Sequence, residues 1–352
     1  TPARATEQYD DLDVAVLDRP ADPVGLPRTI FVREDRVPLE SEVPRARATI
    51  ERSREVVLGF VQEVQSRHGL EVRKAREVVD ELIDSMDRNP NAALWLARLR
   101  TADSSAYSHS IQAAVYLTAL GLHIGIRREE LADVSLAGLM LDVGKMRVPA
   151  GVLHKPGKLS EAEFAAVKRH VQHSLDILEE SRGVPDVVKN IVVRHHEREN
   201  GSGYPYGLKG DTIGMLGRMA GLVDTFVAMT NPRPYASTIS VHDALRMLYR
   251  WRGTHFHEPL VEQFVQAIGV FPVGSLVELS NGDCAIVVAH NRVRRLKPRV
   301  MLVTGPDKQR LTKPTMLDLL YAPPGENGEE LMISRPLEPG AYDIDAEEYF
   351  LA

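Results

Sequence analysis

The chain has 352 residues, 43% of them hydrophobic and 26% charged, with a net charge of -6 at pH 7. That length suggests two or three domains and that composition a globular fold, while the charge carries no mark of a nucleic-acid polymer or membrane-surface binder. No apolar run approaches the roughly 20 residues of a membrane span. A single cysteine, Cys284, excludes an internal disulfide and a thiolate metal cluster, so a cytoplasmic protein with nitrogen and oxygen ligands is expected.

Residues 1–45 are rich in Pro, Asp and Arg, with β-like runs at Val14–Leu17 and Thr29–Val32, and predict a small, partly extended region. The opening TPARATEQYDD does not read as a signal peptide, and the missing initial Met leaves a trimmed leader open. Residues 46–100 predict helices. Leu58, Val61 and Val64 keep helical spacing, as do Val78, Val79, Leu82 and Met86, and Asn89-Pro90-Asn91 interrupts the second run.

From 104 to about 268 the pattern is helix after helix. Ser104–Leu122 places His109, Ala113, Tyr116, Leu117 and Leu120 on one face. Arg128–Val143 predicts a second helix, with Gly144 as its terminator and Pro149 barring continuation. After the turn Lys155-Pro156-Gly157-Lys158, Ser160 and Glu163 form a capping box. They open a helix whose apolar face is Phe164, Val167, Val171, Leu175 and Leu178. Val184–His196, Ile213–Met229 and Val241–Tyr249 complete the predicted set.

After Phe271-Pro272 the character changes. Strands at 275–279 and 285–289 flank Asn281-Gly282, a hairpin signal, and a third is predicted at 299–304. Residues 271–352 therefore read as a β-rich extension. Its acidic tail (Glu326, Glu329, Glu330, Asp343, Asp345, Glu347, Glu348) reads as loose. Arg292, Arg294, Arg295, Lys297 and Arg299 read as a solvated loop and strand edge.

The chemistry concentrates in His109, Asp142, His170, His195, His196 and Asp224. Neutral imidazole is the commonest metal ligand. His195 and His196 differ by about 100° around a helix, and at a helix C-terminus they suit the dipole as well as an ion. Asp142 and Asp224 each end an apolar run, where a carboxylate is costly to bury without a partner charge or ion. Together these residues suggest one shared cation site. His170 sits at the boundary of its helix's apolar face, whereas His173 lies nearly opposite and faces solvent. His123, His154, His242, His255, His257 and His290 read as structural or exposed.

The order of motifs resembles a known family. His109 is followed by Leu141-Asp142-Val143-Gly144-Lys145, Pro156-Gly157-Lys158-Leu159, His170 and His195-His196-Glu197. Gly203-Tyr204-Pro205-Tyr206-Gly207-Leu208, Asp224 and Arg233-Pro234-Tyr235 come next. This is similar to the HD-GYP phosphodiesterases, a branch of the HD superfamily that hydrolyses the bacterial second messenger cyclic di-GMP. The resemblance covers about 100–270. Residues 27–100 resemble a region that precedes HD-GYP in some bacterial proteins, and 271–277 resemble a frequent continuation.

The resemblance implies a mainly α fold, an HD-superfamily helical bundle with a small N-terminal α/β region and a small β-rich C-terminal extension. It divides the chain into 1–100, an HD-GYP domain at 101–270, and 271–352. It implies two or three metals, usually iron or manganese; with the departures at Leu141 and Ser105 the expectation for this chain is one or two divalent ions. Asp142, His170, His195 and His196 would hold one, and His109, Asp142 and Asp224 the other. Lys145 and Asp142 would be the catalytic pair. Gly203, Tyr204, Pro205 and Arg233 would contact cyclic di-GMP. GGDEF-type diguanylate cyclases and a homodimer are the implied protein partners. Two cations against two aspartates leave a positive site, and such an arrangement stabilises phosphoryl charge and acidifies water.

The pattern departs from the family at three positions. Leu141 stands where the name-giving histidine belongs, Ser105 where trinuclear members carry Glu, and Ala236 where a lysine follows the arginine. Two readings follow: a cyclic di-GMP phosphodiesterase working with a reduced, binuclear site, or a catalytically degenerate module that binds cyclic di-GMP or a GGDEF partner.

Overall fold

Three helices precede the central bundle in the computed structural model. It describes residues 35–66, 69–99, 106–231, 239–291, 294, 296–324, 329–338, 340–346 and 348–349. The β-like runs at 14–17 and 29–32, and Ser105, Arg233 and Ala236, lie outside the described residues.

Helix α1 spans Leu39–Gln65, α2 Val72–Arg88 and α3 Pro90–Leu99. The first begins inside the stretch expected to be extended. Pro38 precedes it and Glu40 and Glu42 lie in its first turn, where proline costs little and acids suit the dipole. Glu42 is fully buried and takes two hydrogen bonds from the Arg88 guanidinium, at 2.7 and 2.8 Å, which clamps α1 onto α2.

The bundle follows with α4 Ala106–His123 and α5 Arg128–Met140. They pack closely because Gly138 lies against the Ala114 backbone, where a Cβ would come to 2.6 Å of Ala114 Cα. Helix α5 ends at Met140 rather than at Val143, and Val143–Arg147 forms a 3-10 turn. Gly144 is no terminator. An added Cβ there would lie 2.1 Å from the His170 carbonyl oxygen and 2.3 Å from the Ser174 nitrogen, so close approach demands the glycine.

A one-turn α6 (Ala150–Leu153) leads to α7 Glu161–Lys168 and α8 His170–Glu180. The Ser160–Glu163 capping box is formed as the sequence predicts. The single helix expected beyond it is broken at Arg169, so its apolar face is not continuous. Val171 and Leu178 are buried, but Phe164 is 47% exposed. Helices α9 Asp186–Arg194, α10 Met215–Thr230, α11 Val241–Arg250 and α12 Glu258–Ile268 complete the bundle. The last was absent from the expected set, although Pro259 in its first turn, Leu260, Val261, Phe264, Val265 and Ile268 on its buried side and Gly269 at its end mark it. Tyr116, Phe226 and Phe264 meet edge to face at the centre, with rings 5.0–6.3 Å apart.

The sheet is antiparallel, in the order β4-β3-β2-β1-β5. Strands β1 (Leu276–Leu279), β2 (Cys284–Ala289) and β3 (Arg299–Thr304) match the expected three. Strands β4 (Arg310–Asp318) and β5 (Ile333–Pro336) were not expected: they are edge strands with no fully buried residue, and β4 carries Pro314. The acidic tail, where described, is not loose. Lys297 pairs with Glu330 at 2.6 Å, Arg310 with Glu348 at 2.8 Å, and Ile344 is buried. Buried side chains of α1–α3, the bundle and the sheet form one continuous apolar core. No described helix is long and apolar enough to cross a membrane.

Candidate metal centre

Four helices bring their histidines and aspartates to one point. His109 comes from the first turn of α4, and His170 opens α8. His195 caps the C-terminus of α9, with His196 the next residue, and Asp224 lies midway along α10. Asp142 follows α5 in the turn before the 3-10 segment. That turn is fastened to α8 by Ser174, whose Oγ accepts the Gly144 N–H at 2.8 Å and donates to the Leu141 carbonyl at 3.2 Å. Leu141 itself is fully buried in the apolar core.

The ligand-type atoms fall into two groups, each within 4.8 Å: Asp142 with His170, His195 and His196, and Asp142 with His109 and Asp224. Asp142 belongs to both. His109 Nε2 lies 2.8 Å from Asp224 Oδ1 and 3.6 Å from Asp142 Oδ2, and His170 Nε2 lies 3.4 Å from Asp142 Oδ1.

The tautomers are fixed from behind. His170 Nδ1 donates to the Val167 carbonyl at 2.7 Å, and His195 Nδ1 to the Val192 carbonyl at 2.5 Å. Each ring therefore presents a bare Nε2 to the cluster, as ligating histidines do. Those two Nε2 atoms and Asp142 Oδ1 are buried and have no hydrogen-bond partner. Buried polar atoms without partners are rare and costly. Three of them converging on one point, from residue types that bind divalent ions, fit a metal.

The electrostatics agree. Burial holds the His170 pKa down to about 4, and burial lowers His195 and drives His196 well below its usual value, so all three rings are neutral near pH 7. Burial alone would raise the Asp142 carboxyl. Lys145, His109 and His170 outweigh it and hold the group below the ordinary carboxylate range. Asp224 is likewise held well below its usual value, because the His109 hydrogen bond and His196 outweigh its burial. Two ionised carboxylates beside the neutral rings of His170, His195 and His196 form a donor set suited to cations.

Lys145 completes the floor, its Nζ 2.5 Å from Asp142 Oδ2. A loop over 201–208 forms the wall. Tyr204 stacks on His196 with ring centres 4.6 Å apart, and Pro205 beside it is exposed. Gly203 must be glycine, since a Cβ would lie 2.4 Å from Glu197 Cα and from the His196 oxygen. The structure thus brings together the six ligand candidates, Lys145, Gly203, Tyr204 and Pro205. Arg233 lies outside the described residues, and His173 joins neither ligand group, its Nδ1 lying 3.9 Å from Asp176 Oδ2.

Sequence reasoning missed Glu197 and Arg198. The buried Glu197 carboxylate accepts the Tyr206 and Leu208 N–H groups, each at 2.8 Å, and so holds the loop. Arg198 donates to the His195 and Glu197 carbonyls at 3.1 and 2.8 Å. The only sequence signal for either was their place between the paired histidines and the glycine-rich turn.

A family model described as HD domain matches residues 93–260. The chain is 36% identical over 265 residues to a cyclic di-GMP phosphodiesterase of Pseudomonas aeruginosa, covering 75% of this chain and 64% of that protein. It is 32% identical over 192 residues to 3'3'-cGAMP-specific phosphodiesterase 2 of Vibrio cholerae, covering 54% and 37%. It is 37% identical over 144 residues to a cyclic di-GMP phosphodiesterase response regulator of Xanthomonas campestris, covering 41% and 38%. The chain thus spans less than two thirds of the length of each of these relatives. In fold it is similar to a solved HDG"Y"P protein from Bdellovibrio bacteriovorus, with a TM-score of 0.52 at 14% identity over 71% of this chain and 76% of that one.

Proposed function

We propose that the chain is a member of the HD-GYP branch of the HD domain family and hydrolyses cyclic di-GMP with one or two bound divalent ions, iron or manganese; the HD domain match at 93–260 and the 36% identity to a cyclic di-GMP phosphodiesterase support this. The observation that carries this reading is the convergence of Asp142 Oδ1, His170 Nε2 and His195 Nε2, buried and without partners. The names of the relatives favour hydrolysis over a binding module.

In this reading Asp142, His170, His195 and His196 hold one ion, and His109, Asp142 and Asp224 the other. Such ions, when bound, stabilise charge on the phosphoryl oxygens and supply an acidified water. The chain's own residues do the rest. Lys145 brings an ammonium to the anionic diester. As the water oxygen joins phosphorus and the bond to the ribose oxygen breaks, Lys145 gives a proton to that oxygen, and the proton the water sheds passes to solvent, from which the Lys145 ammonium is restored. The product is a linear dinucleotide with a new terminal phosphate. Tyr204, fixed on His196, and the Gly203–Pro205 backbone bound the space beside the diester, with Arg233 as a further substrate contact.

The test is hydrolysis of cyclic di-GMP, with 3'3'-cGAMP beside it, by protein prepared anaerobically with Fe(II) or Mn(II). The parent turns over cyclic di-GMP, and Asp142→Ala, which removes a donor from both groups, loses at least about 100-fold along with bound metal. A metal-loaded parent inert on both dinucleotides would sink the reading.

A further inference from the structure

Phe164 raises a question that the metal centre does not answer. Its spacing puts it on the core side of α7, yet it is 47% exposed. One turn on, the Lys168 ammonium sits 4.7 Å from the centre of the Phe164 ring and 5.4 Å from that of Tyr204. Tyr204 in turn stacks on His196. Aromatic and cationic groups therefore run without a gap from the centre to the surface: His196, Tyr204, Lys168, Phe164. Among the described residues no carboxylate pairs with Lys168, whereas the nearby Lys155 is held by Glu163 at 2.7 Å.

We propose that Phe164, Lys168 and Tyr204 form a purine-binding subsite at the mouth of the centre, where Phe164 stacks on one base and Lys168 meets its carbonyl oxygen or the adjoining phosphate. This deepens the hydrolase reading and rests on it, because a dinucleotide held at its diester must place its bases outside the ion cluster. An exposed aromatic ring is a stacking platform for any base, and a cation over the ring adds to it. Pro205 and Tyr206, next to Tyr204, are exposed, so a base leaving the centre on that side reaches solvent.

The experiment compares the parent with Phe164→Ala, Phe164→Tyr and Lys168→Met. It reads steady-state hydrolysis of cyclic di-GMP, hydrolysis of methyl p-nitrophenyl phosphate (a diester without a purine), and equilibrium binding of GMP. Phe164→Ala raises the KM for cyclic di-GMP and the Kd for GMP by about tenfold, leaves kcat and the small diester unchanged, and is rescued by Phe164→Tyr. Lys168→Met weakens GMP binding and flattens its salt dependence. If the parent turns over cyclic di-GMP while every variant keeps its KM and GMP affinity, the subsite falls and the hydrolase reading stands. Equal losses on both diesters also overturn the subsite, since they mark a structural role. A parent that binds GMP through Phe164 but does not hydrolyse cyclic di-GMP keeps the subsite and removes the hydrolase reading. One that does neither removes both.

Discussion

Single residues carry unequal shares of this site, and the least visible in the sequence is Glu197. Its carboxylate is buried and takes two backbone N–H groups from the wall loop. Glu197→Gln keeps one acceptor oxygen and turns the other position into a donor facing an N–H. Hydrogen bonds to a charged group are worth roughly 1.5–3 kcal/mol each. The expected result is a loosened loop: KM for the dinucleotide rises several-fold while metal content, measured by atomic emission, stays at the parent level. Metal lost in step with activity would contradict that assignment. By contrast, His109, Asp142, His170, His195, His196 and Asp224, which the structure gathers into two groups, were all candidates in the sequence: Asp142 and Asp224 end apolar runs, and the order of motifs drew in the histidines. Glu197 was not, since its partners are backbone groups of a turn whose path no spacing reveals.

Glu42 is a second residue that pattern alone hides. Burial works against its ionised form, but the Arg88 and Ser85 hydrogen bonds prevail and its pKa falls below 4.5. A depressed carboxyl pKa means the unfolded chain binds the proton more readily. The stabilisation is therefore complete above about pH 4.5 and is lost as pH falls through the folded value. Glu42→Gln costs about 2 kcal/mol at pH 7, below the roughly 3–5 kcal/mol for a fully enclosed pair, because Arg88 keeps 30% of its side chain exposed. Thermal melts from pH 7 to pH 3 should show the variant and parent converging at the acid end. A constant gap would mean that the pair contributes packing rather than charge.

At the scale of elements, the junction between α5 and α8 sets the position of Asp142. Gly144 lets the 3-10 turn press against the α8 backbone, and Ser174 fastens it. Gly144→Ala forces backbone apart on both sides, an overpacking cost of about 3 kcal/mol or more, and moves the shared carboxylate with it. Both the melting temperature and the metal content should drop. A variant that melts lower but binds metal normally would show that the turn and the donor set are independent.

The helices themselves were readable where an apolar stripe repeated, as in α2, α4 and α10. The breaks were not. The halt of α5 at Met140 and the step at Arg169 are set by packing against other helices, which periodicity within one segment cannot report. The same holds for Phe164, whose spacing matches a core position but which faces water. Helix α12 differs: its proline-led start and buried stripe are both present in the sequence. The edge strands β4 and β5 lack a buried face strong enough to alternate.

For the whole molecule, the described residues of the three parts expected at 1–100, 101–270 and 271–352 are held to one another by contacts across their boundaries. Helix α1 packs on α2, α3 and α4, α3 reaches β2, and Arg98 lies against Gly274 with Ser275 3.4 Å from its guanidinium. His242 stacks on Phe271 across the boundary, with ring centres 5.9 Å apart. A chain ended at Gly269 would uncover the apolar surface of α3 that the sheet covers. Its melting temperature should fall by on the order of 10 °C, with aggregation following. A truncated chain that melts like the parent would establish the bundle as self-sufficient.

The loop wall has a consequence for how the chain tolerates change in length. Surface loops usually accept insertions and deletions readily. Here the segment is buckled onto its own stem. Tyr204 donates to the His196 carbonyl at 3.2 Å, Tyr206 and Leu208 donate to Glu197, and Gly210 donates to the Glu199 carbonyl at 3.1 Å. One residue added or removed between Arg198 and Gly203 would leave every helix intact, yet it would put the wrong N–H opposite each acceptor and swing Tyr204 off His196. The stretch is constrained in count as well as in kind, an indel-intolerant loop on the outside of the protein.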